Sequence, residues 1–278
     1  MTDLRQSKEY ANYLTSIGWK VETCLPPGRK SPKIYVYLKK LPLLGWFAKI
    51  QRPSLLNDEI INFIESKYHP FQISIEPSSY FPLKSFKQAN PSLPTKTLQI
   101  DLTKSQKEIL SSLSQKTRYN VRNAAKRRIE IIESKNILDF TDFWRQNFEK
   151  KRFPFFSQQK NIIALHKSFG KNSHILLSFR AQSRNPSAAL FILFHNKTAY
   201  YMYAAASDAG RANFAPTLLT WNAILFAKKS GCKTFDFDGI YDDRFPIKSW
   251  QGFTKFKRGF GGTEIEYPGR FVKNRFNI

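Results

Sequence analysis

Two lysines and two aspartates, each pair spaced two residues apart, are the groups of this chain best suited to chemistry. Lys255 and Lys257 lie in Trp250-Gln-Gly-Phe-Thr-Lys-Phe-Lys-Arg-Gly-Phe-Gly-Gly262, and Asp236 and Asp238 lie in Phe235-Asp-Phe-Asp-Gly-Ile240. Both segments alternate with the period of a strand, which puts Phe253, Lys255 and Lys257 on one face and both carboxylates on one face of the other. A lysine strand running out into glycines can offer cations to an anionic group and let it approach the backbone. The aspartates can act as a base and an orienting group. If the two strands are neighbours, they can equally form ion pairs with Lys255 and Lys257.

A third cationic feature is Lys116-Thr-Arg-Tyr-Asn-Val-Arg-Asn-Ala-Ala-Lys-Arg-Arg128, with six basic residues and no acid. Arg118, Arg122 and Lys126 are four apart and share one face of a helix. Such a stripe is either a phosphate-contacting surface or a solvated face. The run Tyr200-Tyr-Met-Tyr203 puts Tyr201 and Tyr203 on one side of a strand, lining a groove or packing across strands. The four histidines (His69, His166, His174 and His195) have no catalytic setting, and no G-x-S-x-G, Walker loop or dinucleotide fingerprint is present. Two cysteines and no Cys/His cluster argue against a disulfide framework or a structural metal.

The elements that must hold these residues follow from capping and periodicity. Ser7 to Ile17 reads as a helix stopped by Gly18. Lys33 to Leu38, Trp46 to Gln51 and Phe71 to Ile75 read as strands, and Asn57 caps a helix through Tyr68. Residues 77–96 are proline-rich and mark a connection. Ser105 and Glu108 form a capping box, Ser114 caps a helix through Arg128, and Ile129 to Ile132 is a strand. Asp139 to Lys151 reads as helical. His174 to Phe179, Ala188 to Phe194 and Thr198 to Ala206 form an antiparallel meander, closed by a turn at His195-Asn196-Lys197. Pro216 opens a helix to Ser230, and Lys233 to Phe237 is a strand. The pattern is α/β or α+β in layers, with the same rhythm in both halves. A net charge of +24 over 278 residues favours polyanionic partners: nucleic acid, phosphorylated substrates or an anionic membrane face. With no hydrophobic leader at the first residues and no membrane-length apolar run, a cytoplasmic protein is expected.

Several segments together carry a resemblance. Leu98-Gln-Ile-Asp-Leu102, Thr117 to Ala124, Gly231 to Ile240, Trp250 to Gly262 and Glu266-Tyr-Pro-Gly269, in that order, resemble the FemABX family of peptidoglycan bridge-forming aminoacyltransferases. The resemblance is clearest from Leu98 to Gly269. It implies two tandem GNAT-like domains, at residues 1–96 and 97–262, with the tail 263–278 returning to the first. Some members carry a coiled-coil arm, for which this sequence leaves no room, since Asp139 to Lys151 allows only a short helix. The resemblance implies transfer of an amino acid from aminoacyl-tRNA to a stem-peptide amine of a peptidoglycan precursor (lipid II or a UDP-MurNAc-peptide), in cell-wall biogenesis and cell shape, without a cofactor. A monomer with peripheral contact to an anionic membrane fits the same picture. An aminoacyl ester is already activated, so no nucleophilic residue is needed. Lys257 is nominated to stabilise the oxyanion, with Lys255 as its substitute, and Asp238 to orient or deprotonate the amine. Arg118 and Arg122 are assigned to phosphate, and Tyr203 and Trp250 to substrate binding. In Ser207 to Pro216, Phe214 stands where CoA-dependent relatives use a glycine to close amides on a pyrophosphate, which argues against acetyl-CoA. The rival readings are a CoA-dependent N-acyltransferase and a non-enzymatic RNA-binding module.

Overall fold

The computed structural model describes residues 2–25, 33–149 and 158–275. The chain divides into two compact units, one of residues 1–95, 242–245 and 266–278, the other of residues 96–241 and 246–265. Each is a mixed sheet with helices packed on it.

The first unit opens with α1 (Lys8–Ser16), capped by Ser7, whose hydroxyl accepts from Tyr10 N. Strands β1 (Lys20–Cys24), β2 (Ile34–Leu41) and β3 (Gly45–Gln51) follow as an antiparallel meander. Asn57 caps α2 (Asp58–Tyr68), and Asp58 and Glu59 in its first turn suit the positive end of the helix. This helix carries the chain over to β4 (Gln72–Glu76), which pairs parallel with β3 along its whole length, from Phe47–Gln72 to Gln51–Glu76. The last strand of the chain, β13 (Arg270–Asn274), lies between β4 and the short β5 (Lys87–Ala89). Ile60, Ile61 and Ile64 of α2 pack on Val36, Ile50 and Ile73 of the sheet.

Within this unit Asp242 accepts from Thr95 Oγ1 at 2.6 Å and from Arg244 Nη2 at 2.8 Å. Burial alone would raise its pKa, but the bonds from Arg244 and Thr95 outweigh burial and hold it below 3.8. A lowered carboxylate pKa contributes stability above the unfolded value, and that stability is lost as pH falls through the folded value. We expect thermal unfolding of the Asp242→Asn variant to depend less on acidification below pH 3.8 than that of the unsubstituted chain.

The second unit begins at β6 (Lys96–Asp101). The Ser105–Glu108 capping box opens α3 (Gln106–Ser112), and Ser114 caps α4 (Gln115–Lys126). Next come β7 (Ile129–Ser134) and α5 (Ile137–Trp144), the latter running into a π-helical turn at Arg145–Glu149. The expected helix end at Lys150 and Lys151 lies outside the described residues. After α6 (Gln159–Phe169), strands β8 (Ser173–Arg180), β9 (Pro186–His195) and β10 (Thr198–Ala206) form the expected meander. The short α7 (Asp208–Ala212) and the long α8 (Ala215–Lys229) lead to β11 (Thr234–Asp236), parallel to β10. The unit ends in α9 (Gln251–Arg258) and β12 (Thr263–Glu266). The sheet order is β12-β6-β11-β10-β9-β8-β7. Both units thus share one succession: three antiparallel strands, a helix, and a parallel strand beside the third. Among the described residues the longest helix is α8, with 15 residues, so no coiled-coil arm is built from them.

Three expectations are corrected. Trp250 to Gly262 is not a strand: Gln251–Arg258 is helical. Trp250, Phe253, Phe256 and Phe260 are three, three and four apart, a helical spacing that competes with the alternation and wins because those rings pack. Trp250 lies 5.3 Å from Phe253, and Phe256 lies 5.3 Å from Phe260. Lys255 and Lys257, two apart on a helix, therefore point apart: Lys255 is exposed and Lys257 is buried. Second, the Phe235–Ile240 strand stops at Asp236. Asp238 has a φ of 50°, so the two carboxylates are not successive members of one strand face. Third, Tyr201 and Tyr203 do not share a face. Tyr201 pairs with Ile192 and Tyr203 with Phe191, which leaves Met202 as an extra, bulged residue. A bulge reverses the alternation beyond it. Tyr201 packs against Phe237 (5.4 Å), and Tyr203 against Trp144 (5.7 Å).

The glycine exit also has a structural cause. A Cβ on Gly261 would meet Ser112 O at 2.5 Å, and one on Gly262 would meet Gln99 O at 2.4 Å, both at positive φ. These glycines let the end of α9 close on α3 and β6.

Candidate active site

The site of the second unit arises where its sheet comes apart. β11 pairs with β10 only from Thr198–Thr234 to Tyr200–Asp236, while β10 runs on to Ala206. The Met202 bulge turns β10 away at that point. The opened edge is filled from the side by α9, which brings Phe253, Phe256 and Lys257. A cavity of about 470 Å³ remains there, lined by Lys257, Asp238, Tyr201, Tyr203, Phe253 and Trp144 among others. An adjoining cavity of about 550 Å³ shares Phe148, Tyr201, Ala204, Phe253 and Phe256 with it and extends to Phe214, Pro216 and Arg211.

Lys257 is the charge of this site. It is 8% exposed, and its Nζ donates to Phe237 O at 2.8 Å and Gly239 O at 2.7 Å. That leaves one of its three N–H bonds for the cavity. The rings of Phe253 and Tyr201 lie 4.8 and 5.3 Å from the ammonium. Burial pushes its pKa down to about 8, against the pull of Asp238 and Asp236. A lysine with a lowered folded pKa opposes folding while charged, and that cost is relieved only as pH rises from about 8 toward 10.5. An apolar side chain here would avoid the cost.

Asp236 has a structural occupation. Its carboxylate accepts from Thr97 Oγ1 at 2.5 Å, Gln99 Nε2 at 2.8 Å and Asp238 N at 2.8 Å. It thereby ties β11 to β6 and fixes the turn that presents Asp238. Burial, then Asp238, raises its pKa. Asp236→Ala leaves three donors without their acceptor. We expect a loss of roughly 2–3 kcal/mol, read by thermal or denaturant unfolding. Tyr201 is a second fixed polar group. Burial raises its phenol pKa, and its side chain is hydrogen-bonded to Thr220.

The sequence-nominated residues divide. Lys257, Asp238 and Tyr203 line one cavity. Trp250 packs at a tilt against Phe253 without lining it, and Lys255 faces solvent. Arg118 turns back onto its neighbour: its Nη1 donates to Ser111 O at 2.8 Å and to Leu113 O, closing the end of α3. Arg122 and Lys126 are exposed on α4, with no carboxylate partner among the described residues. Sequence reasoning missed Phe253, Phe256, Trp144 and Phe148 as cavity walls. The helical spacing of Phe253 and Phe256 was the available signal.

Beside the second cavity, α8 starts without a side-chain cap. Phe214 is its N-cap at a φ of 59°, and Pro216 removes an amide from the first turn. Thr217 N and Leu218 N both donate to Phe214 O. Few amides are thus left to cradle a pyrophosphate, while the Arg127 guanidinium sits 5.5 Å from the Phe214 ring.

A model of the FemAB family matches residues 158–275. No curated protein matches the chain in sequence. Among solved structures, FemX is similar over 98% of this chain and 92% of its own, with 15% identity and a TM-score of 0.82. The L-PGS structure from Bacillus licheniformis is similar over 98% of this chain and 93% of its own (11% identity, TM-score 0.57). A tandem GNAT protein from the clavulanic acid biosynthesis pathway is similar over 94% of this chain and 84% of its own (7% identity, TM-score 0.54). At these identities the likeness concerns the fold, which is that of paired GNAT-like units. The resemblance to the FemABX family drawn from the ordered motifs is borne out.

Proposed function

From the FemAB match over residues 158–275, we propose that this chain is an acyltransferase that moves an amino acid from aminoacyl-tRNA to a stem-peptide amine of a peptidoglycan precursor. The observation that carries the reading is the buried, cationic Lys257 on the wall of the cavity where β10 and β11 part. An aminoacyl ester brings its own activation, so the site needs a place for the carbonyl, a cation for the oxyanion and a route for the amine proton. Lys257 supplies the cation, held by the Phe237 and Gly239 carbonyls so that little reorganisation is needed. Asp238 orients the amine and takes its proton. The aromatic walls exclude water from an ester that water would otherwise hydrolyse.

The donor assignment is supported by charge and by the start of α8. The exposed Arg122 and Lys126 and the net +24 suit a tRNA backbone. Phe214 and Pro216 remove the amide cradle that a CoA pyrophosphate would use. The reaction belongs in the cytoplasm, where charged tRNA and the unexported precursor meet. Mass spectrometry of cell-wall fragments from cells with and without the protein tests the acceptor. The expected result is loss of an amino-acid mass from the stem-peptide amine, and unchanged fragments contradict it. Binding of tRNA is expected to weaken steeply with salt, and the Arg122→Ala/Lys126→Ala variant to have a shallower slope by about 2 in log–log form, read by filter binding.

A further inference from the structure

We infer that the turn joining β2 and β3 is a membrane-insertion tip that seats the first unit on an anionic bilayer. This goes beyond the transfer reading and does not depend on it. The turn is Leu41-Pro-Leu-Leu-Gly45. Leu43 is fully exposed, and Leu44 is 59% exposed. Two adjacent leucines standing clear of the fold gain nothing from it. Leu43 is moreover held at a φ of 65°, with Leu44 N donating to Pro42 O at 2.8 Å across it. That is a tight three-residue turn whose centre is costly for leucine, and glycine or asparagine tolerates such a φ better. A large apolar residue stands where the turn would suit another.

What surrounds the tip matches a bilayer surface rather than a protein groove. Trp46 lies next to the turn, and Trp19 and Phe47 are in edge contact at 6.2 Å behind it; all three are half-buried. Such amphipathic rings suit the headgroup level. Lys20 and Lys40 are exposed beside them, and Lys20 sits over the Trp46 ring at 5.8 Å. Apolar residues at the apex, with aromatic rings and the exposed Lys20 and Lys40 below them, are the chemistry of an anionic membrane face. Among the described residues no helix is long and apolar enough to cross a membrane, so this contact is peripheral.

The test is sedimentation of the full chain with vesicles of phosphatidylcholine alone and of phosphatidylcholine mixed with phosphatidylglycerol. Binding is expected to the mixed vesicles and to be much weaker on the neutral ones. Leu43→Asn/Leu44→Ser is expected to lower partitioning by about tenfold or more while leaving thermal stability unchanged or higher. A variant that partitions like the unsubstituted chain, or an unsubstituted chain that leaves both vesicles unbound, overturns the inference. Transfer to a soluble stem-peptide acceptor, measured on the same samples, keeps this result separate from the proposed activity. The double variant retains that transfer if the activity is correctly assigned, whatever the vesicles show.

Discussion

Replacing Lys257 by methionine is expected to slow aminoacyl transfer by about 10²–10³, the scale of losing one preorganised oxyanion donor. The measurement is single-turnover transfer, with tRNA binding and circular dichroism on the same sample. Methionine keeps most of the volume among Phe253, Tyr201 and Phe237 but removes the charge, so the loss belongs to the cation. It also leaves the carbonyls of Phe237 and Gly239 without their donor, so the fold must be checked in parallel. The pH dependence gives an independent reading. With its pKa pushed down to about 8 by burial, Lys257 loses its proton as pH rises through that value. Transfer by the unsubstituted chain should therefore fall on the alkaline side of about pH 8, where an acceptor amine by itself would only become more reactive. A rate that climbs steadily through pH 9 would show that the charged form is not used.

The second large effect is on stability, and it separates two meanings of one motif. Gly262→Ala places a Cβ 2.4 Å from the Gln99 carbonyl at a φ of 103°. Both the backbone strain and the collision with β6 must be absorbed, and Gln99 also holds the Asp236 carboxylate. A loss of about 3 kcal/mol is expected, several degrees in Tm. Gly252→Ala is the control. It lies in α9 with nothing within 4 Å of the added carbon, and it should stabilise by up to about 1 kcal/mol through helix propensity. If Gly262 instead existed to admit a ligand to the backbone, its alanine variant would keep its stability and lose only activity.

Local signals in the sequence were reliable where the chemistry is local. Ser105 with Glu108, Ser114 and Asn57 cap the helices their types suggested, because a cap is decided within four residues. The meander and the turn at Asn196 and Lys197 were legible for the same reason. The failures were all decided by distant partners. Trp250 to Gly262 satisfies two periods at once, and only the packing of Phe256 and Phe260 against the second unit's core chooses the helix. Met202 carries no mark of a bulge, because the extra residue is defined by what lies opposite, between Ile192 and Phe191. The site inherits this division. Lys257 was singled out as a strand-edge cation and reaches the cavity from a helix instead. The cavity itself exists because β10 outruns β11, a feature of tertiary pairing that no window of residues records.

The most direct test of the account is a transfer assay in which the purified chain receives a stem-peptide acceptor and one of two labelled donors, aminoacyl-tRNA or acetyl-CoA. Label is expected on the acceptor amine with the charged tRNA alone. Turnover with the thioester and none with the charged tRNA would contradict it.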